Sequence, residues 1–168
     1  KVAAIEQQFT QGAITASNLA GYNLTLGSNT QVFTNDPTGT ITATGASTYV
    51  DLQGVNNLGT LIATASGALR FAGTNTTAEL GTVQLSGGGR ALLTGTLDNT
   101  AATLNAVTGG TFELFGGTID NGTIAAVGFT TSGGTVNNAT FSGPVNLIAN
   151  AFSSISRCLL TRLDSRSM

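Results

Sequence analysis

A tripeptide, Gly-Thr followed by an apolar residue, keeps returning along this chain of 168 residues. It stands at Gly39-Thr40-Ile41, Gly59-Thr60-Leu61, Gly81-Thr82-Val83, Gly95-Thr96-Leu97, Gly110-Thr111-Phe112, Gly117-Thr118-Ile119, Gly122-Thr123-Ile124 and Gly134-Thr135-Val136. Glycine turns the backbone where a side chain would strain it. Threonine and a branched or aromatic residue then favour extended structure. Repetition of such a unit builds a stack of short strands and argues against a single unique catalytic core.

The segments between these turns alternate apolar and polar residues with period two, as in Tyr22-Asn23-Leu24-Thr25-Leu26, Ala68-Leu69-Arg70-Phe71 and Phe112-Glu113-Leu114-Phe115. Alternation of this kind marks strands with one face inward. A second pattern repeats at Thr96-Leu97-Asp98-Asn99, Thr118-Ile119-Asp120-Asn121 and Thr135-Val136-Asn137-Asn138, at spacings of 22 and 17 residues. A period of ~20 residues with two or three short strands fits one rung of a β-solenoid. The expected rungs run from Asn56 to Ala78, Glu79 to Ala102, Thr103 to Gly122 and Thr123 to Pro144, with a less regular stretch of the same texture before them. Leu69, Leu85, Leu93, Leu114 and Val136 are the expected inward positions, aligned from rung to rung. Asparagines at equivalent turns are expected to form hydrogen-bonded ladders. The ends of such a stack expose strand edges.

Only 8% of the residues are charged, against about 25% in ordinary soluble domains. With 40% hydrophobic residues, the chain does not have the composition of a disordered one. A net charge of −2 disfavours nucleic acid, which requires a basic face, and the sequence offers no polybasic patch for an anionic membrane. No run approaches the ~20 apolar residues of a membrane-spanning helix. The start, Lys1-Val2-Ala3-Ala4, lacks the apolar core of a signal peptide. The chain therefore reads as a piece of a larger protein, and a missing leader does not argue for the cytoplasm. A single cysteine, Cys158, makes no internal disulfide or metal cluster.

Residues 1–148 are assigned to the solenoid, with regular rungs from about 56, and residues 149–168 to an atypical tail. The tail holds three of the six basic residues and the only Cys and Met. Phe152, Ile155, Leu159, Leu160 and Leu163 fall on one face of a helix. The tail is either a short helical cap on the last rung or sequence foreign to the repeat, such as a frameshifted reading.

The stretch from Val55 to Leu147 carries Asn57-Leu58-Gly59-Thr60-Leu61-Ile62-Ala63-Thr64, Leu97-Asp98-Asn99-Thr100, Gly116-Gly117-Thr118-Ile119-Asp120-Asn121-Gly122-Thr123-Ile124 and Ser132-Gly133-Gly134-Thr135-Val136. In these residues it resembles the repeats of large bacterial surface proteins, the filamentous-haemagglutinin-like and autotransporter-passenger β-helices. The resemblance covers a little over half the chain and is carried by structural motifs. It implies a right-handed parallel β-helix, exported and displayed outside the cell as a stalk or adhesive surface. Surface glycans or host-matrix molecules are the implied partners. No binding or catalytic residue transfers with it.

A search for chemistry yields few candidates. The common nucleophile–base triads need His, and there is none. Cys158 has Arg157 and Arg162 nearby but reads as an incidental thiol. Glycoside hydrolysis needs two carboxylates flanking one bond. Asp98, Glu113 and Asp120 are the candidates, with Arg90 as a charge partner. Asp98 and Asp120 stand at equivalent repeat positions, yet Asp in such a turn normally bonds its own backbone. Alternation points Glu113 outward into solvent. Gly87-Gly88-Gly89 leads into Arg90, which fits neither a calcium-binding nonapeptide nor a phosphate loop, and reads as a wide turn. Thr38, Thr40, Thr42 and Thr44 alternate along one strand in the manner of an ice-binding face, but Thr-x-Thr does not recur at a fixed place. Asn23, Asn75, Asn121 and Asn138 open Asn-x-Thr triplets, as expected by chance in this composition. No catalytic, cofactor-binding or metal-ligating residue is assigned. The expected function is a non-catalytic structural or adhesive segment, with a carbohydrate-active β-helix enzyme and an ice-binding solenoid as alternatives.

Overall fold

The computed structural model describes residues 3–5, 12–17, 23–105, 109–125, 127–143, 154–156 and 159–161, the first and last two segments through their backbone alone. The chain winds into a parallel β-solenoid. After β1 (Ala3–Ile5), each turn lays down up to three short strands in chain order. These are β2 (Ala13–Ser17), β3 (Asn23–Leu26) and β4 (Phe33–Asn35), then β5 (Thr40–Thr44), β6 (Tyr49–Leu52) and β7 (Val55–Asn57). The next turn holds β8 (Thr60–Thr64), β9 (Ala68–Phe71), β10 (Thr74–Thr76) and the single helical turn α1 (Thr77–Leu80). It is followed by β11 (Thr82–Leu85), β12 (Arg90–Leu93) and β13 (Thr96–Asp98). In the later turns the second and third strands fuse, giving β14 (Thr103–Leu104) with β15 (Phe112–Asp120) and β16 (Thr123–Ala125) with β17 (Phe129–Asn137). Beyond them lie β18 (Thr140–Ser142), β19 (Ser154–Ser156) and β20 (Leu159–Thr161).

First-position strands pair in the orders β2-β5-β8-β11 and β14-β16-β18-β20, second-position strands from β1 through β3, β6, β9 and β12 to β15, and every named pairing is parallel. Such a ladder satisfies the backbone of one turn with the backbone of its neighbours, so no turn is complete alone.

The repeated tripeptide sits at the corners. Gly39, Gly59, Gly81 and Gly122 precede first-position strands; Gly95, Gly117 and Gly134 open the third face. The threonine N–H donates to the corner carbonyl of the previous turn, as in Thr60 to Gly39 (3.0 Å), Thr96 to Gly73 (2.9 Å) and Thr118 to Gly95 (2.8 Å). The glycine is required because the turns touch there. A Cβ on Gly95 would press into the carbonyls of Gly73 and Ala72, and one on Gly117 into that of Gly95. The apolar third residue then turns inward: Ile41, Leu61, Leu97, Ile119, Ile124 and Val136 are all buried.

Inward residues stack in files. One runs Val50, Leu69, Ala91, Phe112, Phe129, and its neighbour Leu52, Phe71, Leu93, Leu114, Thr131. Leu97, Ile119 and Val136 form another. The five expected inward residues are all buried, but they do not make one column. Leu93 and Leu114 are register partners, while Leu69, Leu85 and Val136 belong to three other files. Each turn presents several inward positions, and spacing alone does not say which is shared. The rings of Phe71 and Phe112, from neighbouring files two turns apart, stack with centroids 6.0 Å apart.

Asparagine ladders form at the third corner. Buried Asn35 donates to Asn57 Oδ1 at 2.7 Å, Asn57 Nδ2 donates to the Leu80 carbonyl at 2.9 Å, and Asn99 Nδ2 to that of Thr123 at 2.8 Å. On the outer side Asn138 donates to Asn121 at 2.9 Å.

The tail corrects one expectation. Ser154–Ser156 and Leu159–Thr161 are strands, paired in parallel on β17 and β18, with Ile155 opposite Val136 and Leu160 opposite Phe141. The helical spacing loses because the edges of β17 and β18 offer unpaired backbone groups. The intervening serines are also poor helix formers. Phe152 and Leu163 lie outside the described residues.

The corner packing predicts a contrast between two substitutions. Gly95→Ala lowers stability by about 1–3 kcal/mol through overpacking. Gly116→Ala costs only about 1 kcal/mol, because its Cβ meets nothing within 4 Å and only its φ of +79° is unfavourable. Urea unfolding midpoints measure both, and equal midpoints for Gly95→Ala and wild type would show that the corners are not closely packed.

Candidate functional site

The charged residues divide between faces. On the outer side of the second face, Asp51 and Arg70 stand in register and pair in bidentate fashion, the second contact being Nη2 to Oδ2 at 2.6 Å. Arg70 also lies over the Tyr49 ring, 4.5 Å from its centroid. Two turns on, Arg90 pairs with Glu113, and Ser132 donates to the other Glu113 oxygen at 2.5 Å. Leu92 faces outward in register between Arg70 and Glu113, yet it is 2% exposed. Glu113 does point outward, but it is not simply solvated: its side chain is 15% exposed and fully engaged. Its partners lie 23 and 19 residues away on neighbouring turns, which is why alternation alone did not reveal them.

Asp98 and Asp120 are register partners on the third face, on adjacent strands of β13 and β15, ~4.8 Å apart in the pairing direction. Stacked repeats therefore bring them together, as their equivalent positions imply. Arg90 and Glu113 stand on the other side of the Gly116-Gly117 corner, so the four groups do not meet in one cleft. Asp98 is exposed and accepts from the Thr100 hydroxyl at 2.6 Å and the Thr100 N–H at 3.0 Å. These bonds, the hydroxyl first, hold its carboxyl below the ordinary value of 3.8, with Asn121 adding a smaller push in the same direction. A glycosidase acid needs the opposite shift. Asp120 accepts from Asn137 Nδ2 at 2.8 Å, a bond to the next turn instead of its own.

The first face presents hydroxyls in register. Thr40, Thr60 and Thr82 form one outer file, Thr15 and Thr42 part of a second, and Ser17, Thr44 and Thr64 a third that Ser86 extends through a 3.1 Å bond to Thr64. Ala13, Ile62 and Gln84 interrupt the array. The files are more regular than the sequence spacing suggests, because the turns differ in length at their loops and not in their strands. Thr38 precedes β5 and is exposed.

The irregular part of the surface lies at the crossing from the second to the third face. Elsewhere this crossing takes two residues, Gln53-Gly54, Ala72-Gly73 and Thr94-Gly95, but between β3 and β4 it takes six, Gly27 to Val32. Beside this loop is an open cavity of about 310 Å³. Sequence reading missed it, although Gly27-Ser28-Asn29-Thr30 is a cluster of turn residues between two strand runs.

Other candidates reduce to structure. Gly87 and Gly88 have φ of +54° and +78° in the turn before β12, as a wide turn requires. Asn75 is buried and accepts from the Val55 N–H at 3.2 Å, so its triplet is not a surface acceptor. Among the described residues, no three His, Cys, Asp or Glu side chains gather to hold a metal. Cys158, Arg157 and Arg162 lie outside the described residues.

The Asp98 turn predicts a pH effect of definite sign. Its folded pKa is depressed, so its contribution to stability is present above the unfolded value and is lost as pH falls through the folded one, below about pH 4. A carboxyl titration followed by NMR has its midpoint below 3.8, and Thr100→Val moves it back toward that value. A midpoint at or above 3.8 in the wild type would remove the turn from the account.

In comparison with known proteins, the chain matches no family model, no curated protein and no solved structure, so its functional reading rests on its own geometry.

Proposed function

We infer that this chain is a non-catalytic structural or adhesive segment of an exported bacterial surface protein. It acts as a spacer of stacked turns whose faces make weak, repeated contacts with surface glycans or host-matrix molecules. The observation that supports this reading is the outer surface of the stack. Its outer files are rich in Thr and Ser, and several of its charges are paired, as in Asp51–Arg70 and Arg90–Glu113, or hydrogen-bonded, as Asp98 to Thr100 and Asp120 to Asn137. A surface of this kind suits extended display better than turnover.

Antibodies against the purified chain test the reading. They are expected to stain intact cells of the source bacterium, and protease treatment of the intact cells is expected to abolish the staining. Staining that appears only after lysis would overturn it.

One observation favours a second reading. The hydroxyl files on the outer side of β2, β5, β8 and β11 form a grid spaced ~4.8 Å across strands and ~6.6 Å along them. Such a grid can order water, as an ice-binding face does. Thermal hysteresis and ice-crystal shaping measure this directly. An ice-binding chain shows both, and Thr42→Lys, at the centre of the grid, abolishes them. Freezing at the buffer's own freezing point with unshaped crystals would leave the face as plain scaffold.

A further inference from the structure

The six-residue loop between β3 and β4 is the largest departure from the two-residue crossing that its neighbours use. On a repeat scaffold, an insertion in one turn maps to a loop on one face, often the binding face. This loop is built and held. Ser28 and Gln31 exchange backbone bonds of 2.8 and 3.3 Å, and the Ser28 hydroxyl accepts from the Gln31 N–H at 3.1 Å. Its base is pressed onto the next turn, since Gly27 has no room for a Cβ beside the carbonyls of Gly54 and Gln53.

The loop walls the cavity of about 310 Å³, which is open to solvent. That volume is at the lower end of the range of about 300–1,000 Å³ typical of small-ligand clefts. Ser28, Asn29 and Val32 come from the loop, and Gly73, Thr74 and Thr96 from the turns beyond it. The chemistry is distinctive in one respect: among the described residues, no charged side chain lines the cavity. Phosphate, carboxylate and metal ligands therefore find no counter-charge. Hydroxyl and amide groups supply both donors and acceptors. Val32, 60% exposed, supplies an apolar contact at the wall.

We propose that this cavity binds a neutral saccharide. Sugars present hydroxyls around the ring edge and C–H groups on the ring faces, and the lining offers one partner for each. The hydroxyls meet Ser28, Asn29, Thr74 and Thr96, and a ring face lies on Val32. The proposal deepens the adhesive reading above and rests on it only for where the sugar is encountered. Binding itself is a property of the purified chain.

The test is amide NMR on the purified chain. The probes are the methyl glycosides of glucose, galactose and mannose, with dextran and galactan as polymers, and methyl glucuronide as a charged comparison. The expected result is saturable shifts at Gly73, Thr74 and Thr96, in the millimolar range, for at least one neutral probe and weaker for the glucuronide. A methyl glycoside that binds assigns the cavity to a chain end; a polymer that binds alone assigns it to a chain interior. Asn29→Ala, on the exposed loop, weakens binding about two- to tenfold, the worth of one lost hydrogen bond. Val32→Ser weakens it as well. Both variants are expected to keep the wild-type unfolding midpoint. Three outcomes would overturn the proposal: no shift at these amides with any neutral probe, equal binding of the glucuronide, or shifts unchanged in both loop variants. Such a failure would leave the display reading standing. Failure of the cell-surface test would leave the binding result intact.

Discussion

The close contact of backbone on backbone at the corners governs the rest of this structure. Where one turn rests on the next, the carbonyl of one corner and the glycine of the following corner occupy space that a Cβ would need. Only glycine allows the approach, and the approach brings the next N–H, usually that of threonine, onto that carbonyl. The ladder then continues strand by strand with the apolar residue already facing inward. Turn geometry, hydrogen bonding and burial are thus coupled in three consecutive residues. The same coupling makes each turn dependent on its neighbours, because the groups that satisfy it belong to another turn.

Parallel stacking in register also explains the scarcity of charge. A residue on an outer file stands ~4.8 Å from its equivalents above and below. Like charges there repel by about 1 kcal/mol even in water, and by more near a protein surface. A repeat that copied one charged residue would add that cost at every turn. This chain instead alternates signs between turns, as in Asp51 with Arg70, or stacks neutral side chains, as in Thr40, Thr60 and Thr82. Asp98 and Asp120 are the like-charged pair in register. Each has a separate donor, Thr100 for one and Asn137 for the other. The Thr100 bonds lower the pKa of the Asp98 carboxyl, which is the opposite of what a catalytic acid requires.

The fold was legible where its cause is local. Glycine with threonine announces a corner, and period two announces a strand; neither depends on the rest of the chain. What was not legible depends on which residue of the next turn stands opposite. The partners of Arg90, the partial burial of Glu113 and the splitting of the inward leucines into separate files all follow from register. Register in turn depends on loop lengths that vary between turns. The segment with Ile155 and Leu160 shows the limit most plainly. Five apolar positions satisfy a helical period, but short apolar runs are ambiguous, and a waiting strand edge decides the outcome.

Regularity and recognition pull in opposite directions on such a scaffold. Any surface built from the repeat is presented many times, so it distinguishes poorly between one ligand and another. Selectivity has to come from a place where the repeat is broken. The crossing between β3 and β4 is such a place on two counts. It carries the longest loop among the crossings of its kind, and it lies beside a seam in the third face, where β4 and β7 pair with each other but not with β10. At that seam a side chain stands in for the backbone ladder, Asn75 Oδ1 accepting from the Val55 N–H. Substituting a side chain for a strand removes the requirement that adjacent backbones run at ladder spacing. The loop and the cavity therefore occur at a point where the ladder has already been relaxed, between stretches where it continues from turn to turn.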